Sequence, residues 1–384
     1  EGEDTVEAGS ALGYLANYVQ GTVWASTGRY YNTQLIPSVS LPDGPAGIRI
    51  TKEGVTTLYD VVSDVVVAED GSEIEKEAEI DVLEDAQFYQ YCTAWPVGCM
   101  LAQTWNTELL ERVGTAYGEE LSEMGATYLL GPGMNIHRTP LCGRNFEYYS
   151  EDPTLTGYTA LSFTQGVQSN DGVGVTLKHF AANNNENGRN YVNDVVSERA
   201  LREIYLKGFE IAVKGAAPMA MMTSYNKING EYAVNNYDLC TDICKGEWGF
   251  DGLIMSDYGA ANRAEPNEEL DLNMWANIMH AGNDWIMGGS SNSVVAETDE
   301  EGNIVQDASF TAQINVAEEP SMGLGDLQDS AITILNGIIK SNKFGDNMAN
   351  YVDTSIVAPQ DVAELQKIHN GSYTKAFEDF IYQY

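Results

Sequence analysis

The sequence predicts an α/β protein folded as a (β/α)8 TIM-like barrel. Short apolar strands alternate with amphipathic helices along most of the chain. The strands end in polar groups, at Asp43, Lys178-His179, Tyr225 and Asp257, as barrel strands do where function gathers at their C-terminal ends. No glycine-rich phosphate loop opens a helix, which argues against the rival doubly wound open sheet.

Residues 1–35, polar and aromatic, form a lead-in segment with no firm structural reading. The barrel is expected over 36–343. Its first strand carries Val39 and Leu41 and ends at Asp43-Gly44-Pro45, so Asp43 reads as an acid at a strand end or as a turn residue. Residues 52–86 read as an acidic insertion. Between Asp64 and Asp85 lie ten acids and one lysine, the composition of a solvated loop or hairpin. From Glu108 a helix follows, with Leu109, Leu110, Val113, Tyr117, Leu121 and Met124 on one face. Thr127 to Leu130 is the next strand. The segment from Asn135 to Pro153 is long, polar and aromatic with few apolar anchors, which reads as a site rather than a connector.

Gly172 to Phe180 is a strand in which Val173, Val175 and Leu177 alternate. Ser197 caps a helix whose face carries Leu201, Ile204, Tyr205, Phe209, Ala212 and Val213. Met219 to Met222 forms a strand running into Thr223-Ser224-Tyr225-Asn226. Leu253, Ile254 and Met255 are an unbroken apolar run, as in a strand covered on both faces, and Asp257 stands where it leaves the core. There a carboxylate is held rigidly yet open to a pocket, which suits a nucleophile; the other reading is a cap on the following helix. Asp284 to Gly289 is a further strand. Asp326 is expected to cap a last helix bearing Leu327, Ala331, Ile334, Leu335, Ile338 and Ile339, and residues 344–384 form a C-terminal tail.

Composition narrows the function. With 57 acidic against 20 basic residues the net charge is −37, which repels phosphate backbones and anionic lipid. Nucleic acid is therefore not an expected partner. No apolar run approaches the roughly 20 residues of a membrane span, so no membrane insertion is expected. The acidity and scarce lysine favour an extracellular setting over a cytoplasmic one. Five cysteines, at 92, 99, 142, 240 and 244, form no disulfide framework and read as buried free thiols. His280 and Asp284 have helical spacing, but no further ligand completes a metal site, and no cofactor is implied. No signal-peptide pattern is seen and the first residue is not Met, so the expectation is a chain processed or excised from something larger.

Six motifs carry a resemblance. Asp43-Gly44-Pro45-x-Gly47-x-Arg49, Gly143-Arg144-Asn145-Phe146-Glu147, Ser150-Glu151-Asp152-Pro153, Lys178-His179-Phe180, Met222-Thr223-Ser224-Tyr225-Asn226 and Gly249-Phe250-Asp251-Gly252 with Ser256-Asp257 resemble, in order, the glycoside hydrolase family 3 series. The wording is similar to that of the family's bacterial β-glucosidases, the circularly permuted ones in particular. The resemblance implies a retaining exo-acting β-glycosidase, a β-glucosidase first, with a β-glucoside or oligosaccharide as substrate. Asp257 matches the catalytic nucleophile and Asp43 the acid that grips sugar hydroxyls. Arg144, Lys178, His179 and Arg189 match the polar ring around the sugar. Tyr225 matches the residue beside the nucleophile, Met222 lines the pocket, and Tyr258 stands where the family more often has Trp. The three cations are expected to hold Asp257 ionised. Glu147 and Glu151 are expected to orient Arg144 and nearby backbone.

The second carboxyl of a retaining glycosidase is harder to place. In the β-glucosidases resembled here it is a Glu from an α/β sandwich domain, and no such domain is expected in this sequence. The Asp-x-His acid/base of the family's β-N-acetylglucosaminidases is missing as well, because the corresponding loop reads Asn193-Asp194-Val195. The expectation is a catalytic barrel whose acid/base Glu comes from a sandwich domain or second chain, with Glu186 the best internal candidate. The alternatives are a sugar-binding barrel without turnover and a β-xylosidase of the same family.

Overall fold

The computed structural model describes residues 39–50, 92–260, 274–287 and 323–344, with the backbone of short strands at 24–25, 53–62, 65–67, 73–75, 79–89, 297–298 and 304–306. The rest of the expected lead-in, the tail from 345 and Gly288-Gly289 lie outside the described residues.

The parallel wall is built from β7 (Tyr128–Leu129), β8 (Gly174–Phe180), β10 (Ala220–Thr223) and β13 (Leu253–Met255), neighbours in chain order. Parallel bridges extend it on both flanks, Asp43 to Leu130 and Met255 to Trp285. β2 (Ser40–Leu41) also pairs antiparallel with β1 (Trp24–Ala25). Consecutive parallel strands joined by helical crossovers are the order of a barrel wall.

Although these strands are apolar on both faces, their side chains sort with period two. Leu129, Val175, Leu177, Met221 and Ile254 pack outward with Leu110, Tyr117, Phe163, Val167, Phe209 and Val213. Leu41, Tyr128, Leu130, Ala220, Met222, Leu253 and Met255 form a second cluster with Met287. The outer partners lie on α2 (Thr107–Glu123), α3 (Pro153–Val167) and α5 (Lys207–Ala216). The first of these starts one residue earlier than expected, because Asn106 accepts the Leu109 N–H at 3.0 Å.

Two helical expectations need correction. Ser197 does cap α4 (Glu198–Ala200), but a π-turn at Leu201–Tyr205 intervenes before α5. The extra residue, closed by Leu206 N–H to Leu201 carbonyl at 2.8 Å, rotates the buried face. Leu206 is buried in place of Ile204, which is exposed. On α7 (Leu324–Ile339) the N-cap is Gly323, and Asp326 is the third helical residue, reaching back to the Gly323 N–H at 2.8 Å. Ile338 turns to the inner cluster, with Ile334 partly buried against it, whereas Leu335 and Ile339 face outward.

The expected strand from Asp284 is a single bridge at Trp285, yet it is tied to β13. Asp284 N–H donates to the Ile254 carbonyl at 2.7 Å, and Ser256 N–H to the Trp285 carbonyl at 2.9 Å. The acidic insertion is a hairpin, β3 (Glu53–Val62) paired antiparallel with β6 (Glu79–Tyr89), with β4 (Val65–Val67) paired to β5 (Glu73–Glu75). All five cysteines are free, Cys142, Cys240 and Cys244 fully buried and Cys92 and Cys99 half-buried. Among the described residues no helix is long and apolar enough to cross a membrane.

Candidate active site

The site lies where the parallel strands end. Asp43 leaves the first strand through a turn that demands glycine. Gly44 and Gly47 have φ of +129° and +139°, and a Cβ on Gly47 would stand 2.5 Å from the Thr93 carbonyl oxygen. Within that turn Asp43 Oδ1 accepts the Gly44 N–H at 2.8 Å and the Lys178 ammonium at 2.6 Å, while Oδ2 lies 3.4 Å from Arg49. Burial pushes the Asp43 carboxyl up, but Lys178, Arg49 and the Gly44 amide more than offset it, leaving it below the usual aspartate range.

Lys178 is only 3% exposed and also faces Glu147 at 3.7 Å. Glu147 is saturated by Arg144, which grips its two oxygens at 2.6 Å each. The expected orienting role of Glu147 therefore has a geometric basis, while Glu151 is exposed. Arg144 also donates to His179 Nε2 at 3.0 Å. A guanidinium only donates, so Nε2 must accept and the imidazole is neutral with its proton on Nδ1. That nitrogen faces Asn135 Oδ1 at 3.3 Å and the Tyr148 hydroxyl at 3.2 Å. Burial, and then Arg144, Lys178 and Arg189, hold the imidazole well below the ordinary histidine range.

Asp257 follows β13. Its Oδ1 accepts the Tyr258 N–H at 2.7 Å. Its Oδ2 is buried and has no hydrogen-bond partner at ordinary distance among the described residues, with His179 Nε2 at 3.7 Å. The Tyr225 hydroxyl donates to the Tyr258 carbonyl at 2.8 Å beside it. Of the three cations expected to hold this carboxyl ionised, Lys178 and Arg144 do draw it down. Burial dominates and raises it, against Tyr225, Lys178, the Tyr258 amide and Arg144, which draw it down.

The remaining predicted residues take distinct places. Arg189 is bound to Glu186 at 2.8 Å and lies over the Tyr225 ring, 4.7 Å from its centroid, so it reaches Asp257 only through that ring. Met222 is 2% exposed in the inner cluster, paired in register with Met255 beneath the carboxylates. Tyr258 is 48% exposed. The four acids Asp43, Glu147, Glu186 and Asp257 are matched by four bases, Lys178, Arg144, Arg189 and Arg49. Such a balanced set offers dense charge-assisted hydrogen bonding without net attraction for an ion.

Sequence reasoning missed several supports. Asn135 clamps His179, accepting its N–H at 2.9 Å and donating to its carbonyl at 2.8 Å. Asn183 donates to both the Tyr148 hydroxyl and Glu186 at 2.9 Å. The only signal for Asn135 was its place in the polar 135–153 segment, and for Asn183 its place in the asparagine-rich run Asn183-Asn184-Asn185. His280 and Asp284 take separate partners, the first Asp326 at 3.1 Å, the second Lys245 and the Ile254 N–H, each at 2.9 Å.

Residues 77–316 match the Glycosyl hydrolase family 3 N terminal domain, and the chain belongs to glycoside hydrolase family 3. The fold is accordingly the family's TIM-like barrel. The chain is 46% identical over 227 residues to thermostable beta-glucosidase B of Acetivibrio thermocellus, covering 59% of this chain and 26% of that protein. It is 43% identical over 244 residues to an exo-alpha-(1->6)-L-arabinopyranosidase of Bifidobacterium longum, covering 62% and 28%. Among solved structures it is similar to beta-glucosidase 3B from Thermotoga neapolitana in complex with glucose, with TM-score 0.65 and 38% identity over 90% of this chain and 41% of that one. The chain thus spans about a quarter of the length of these curated relatives.

Proposed function

We propose that this barrel forms the glycone subsite and carries the nucleophile of a retaining exo-β-glycosidase, a β-glucosidase first. The observation that carries the reading is Asp257 Oδ2, buried at a strand end with no hydrogen-bond partner at ordinary distance among the described residues and ringed by polar groups. In this reading Oδ2 attacks the anomeric carbon, the bond to the leaving oxygen breaks, and a general acid gives that oxygen its proton. Water then attacks the same carbon, passes its proton to the conjugate base, and frees Asp257. Asp43, Lys178, Arg144 and His179 bind the hydroxyls of the terminal sugar, and the partly exposed Tyr258 stands where an aromatic would stack beside it.

The general acid is assigned to a group outside the described residues, a sandwich-domain Glu or one from a second chain. Supporting this, the carboxylates of the site among the described residues are engaged by cations: Asp43 by Lys178, Glu147 by Arg144, and Glu186 by Arg189. An acid catalyst needs a carboxyl that keeps its proton near neutrality. A pentopyranoside, whether β-xyloside or α-L-arabinopyranoside, is the second reading, favoured by the similarity to the bifidobacterial arabinopyranosidase. Such sugars lack the hydroxymethyl group of glucose.

The 384-residue chain should release dinitrophenol from 2,4-dinitrophenyl β-D-glucoside, whose leaving group needs no proton, while barely cleaving cellobiose. Rapid cellobiose cleavage that is lost in Glu186→Gln would overturn the assignment of the acid. No release from the activated glucoside would favour a sugar-binding barrel without turnover. Faster release from the matching xyloside or arabinopyranoside would replace the glucoside reading by the pentoside one.

A further inference from the structure

Glu186 joins two parts of the site that are separate in sequence. Its Oε2 accepts Arg189 at 2.8 Å, and that guanidinium lies 4.7 Å over the ring of Tyr225, the residue flanking Asp257. Its Oε1 accepts Asn183 Nδ2 at 2.9 Å. The same amide nitrogen donates to the Tyr148 hydroxyl at 2.9 Å, which faces His179 Nδ1 at 3.2 Å. His179 in turn stands 3.7 Å from Asp257 Oδ2. The Glu186 side chain also rests against the turn before Arg144, since a Cβ on Gly143 would meet its Cγ at 3.9 Å.

We propose that Glu186 is a positioning residue that fixes both walls beside Asp257 at once, the Tyr225 wall through Arg189 and the His179 wall through Asn183 and Tyr148. Each arm orders a flexible side chain whose geometry matters only through the group it supports. Arg189 has a long side chain that loses rotamer freedom over the Tyr225 ring, and the carboxylate holds it there. Asn183 can donate to Tyr148 and Glu186 together only with its amide turned one way, so Glu186 also selects that orientation. The carboxylate is thereby spent on support and does not serve as the proton donor.

This inference rests on Asp257 being the nucleophile. Its test is the rate at which 2,4-dinitrophenyl 2-deoxy-2-fluoro-β-D-glucoside labels Asp257, followed by intact mass on the 384-residue chain. The leaving group needs no acid, so a proton donor at Glu186 would leave this rate untouched. Saturation separates the binding constant from the bond-forming rate constant. Glu186→Gln and Arg189→Met should each lower the rate constant at least ten-fold, with melting temperatures close to wild type. The double variant should be no slower than the slower single one, because Glu186→Gln already releases the arm that Arg189→Met removes. Wild-type labelling rates in Glu186→Gln, or additive losses in the double variant, would overturn the inference while leaving the nucleophile in place. Absence of labelling in the unmodified chain would overturn the nucleophile and the inference together. Should Glu186→Gln fail to melt cooperatively, Arg189→Met and Asn183→Leu decide the matter arm by arm, each slowing labelling or contradicting the proposal.

Discussion

At the scale of single residues the two strand-end aspartates are tuned in opposite directions. Asp257 is raised by burial, so it binds its proton more tightly in the folded chain than in the unfolded one. That group favours the folded state below the ordinary aspartate range, and the contribution is lost as pH rises through its folded value. Asp257→Asn, neutral at every pH, should therefore melt at a higher temperature than wild type at pH 7, with the gap closing at about pH 3, below the ordinary carboxylate range. The same shift predicts that labelling of Asp257 falls off on the acid side at a pH above the ordinary aspartate value. A rate–pH profile of inactivation reads this directly. Asp43 behaves inversely: its carboxyl is held down mainly by Lys178, so its stabilising contact is lost only as pH falls through that lowered value. Removing it as Asp43→Ala deletes charge-assisted bonds of about 1.5–3 kcal/mol each and should weaken glucose binding roughly ten-fold or more by calorimetry.

At the scale of elements, packing overrides propensity. α2 and α3 approach so closely that a Cβ on Gly166 would lie 1.9 Å from the Glu111 carbonyl oxygen, and one on Gly114 would lie 2.3 Å from that of Phe163. Alanine in an exposed helix interior gains about 1 kcal/mol over glycine, yet Gly166→Ala must push two backbones apart. The expected result is a loss of about 2 kcal/mol or more in urea unfolding, opposite in sign to the propensity. Conflicts of this kind mark what the sequence could and could not reveal. β13 and Asp257 were legible because an unbroken apolar run ending in an acid has few other readings. Helix α2 was legible from period 3.6, and its start was read one residue late, at Glu108 in place of Thr107. The π-turn at Leu201–Tyr205 was not legible, since one extra residue per turn leaves no compositional mark. Nor was the upward shift of Asp257, because neighbouring cations can be counted in a sequence while the depth of burial that outweighs them cannot. Asn135 and Asn183 escaped for a related reason: an amide that clamps a site looks the same as one in a solvated loop.

At the scale of the molecule, the chain has a net charge of −37, yet the site balances four acids with four bases. The surplus acidity lies elsewhere, much of it in the hairpin between Glu53 and Tyr89. Surface charge of that kind bears on solubility and encounter, whereas a neutral sugar is recognised by the balanced ring of short hydrogen bonds. The proposed chemistry converges on one atom, the buried Oδ2 of Asp257, which has no hydrogen-bond partner at ordinary distance among the described residues. The most direct test is therefore peptide mapping after inactivation by 2,4-dinitrophenyl 2-deoxy-2-fluoro-β-D-glucoside. One fluoroglucosyl adduct is expected, on Asp257 and absent in Asp257→Asn; an adduct on another carboxylate, or one that survives Asp257→Asn, would contradict the assignment of Asp257 as the nucleophile.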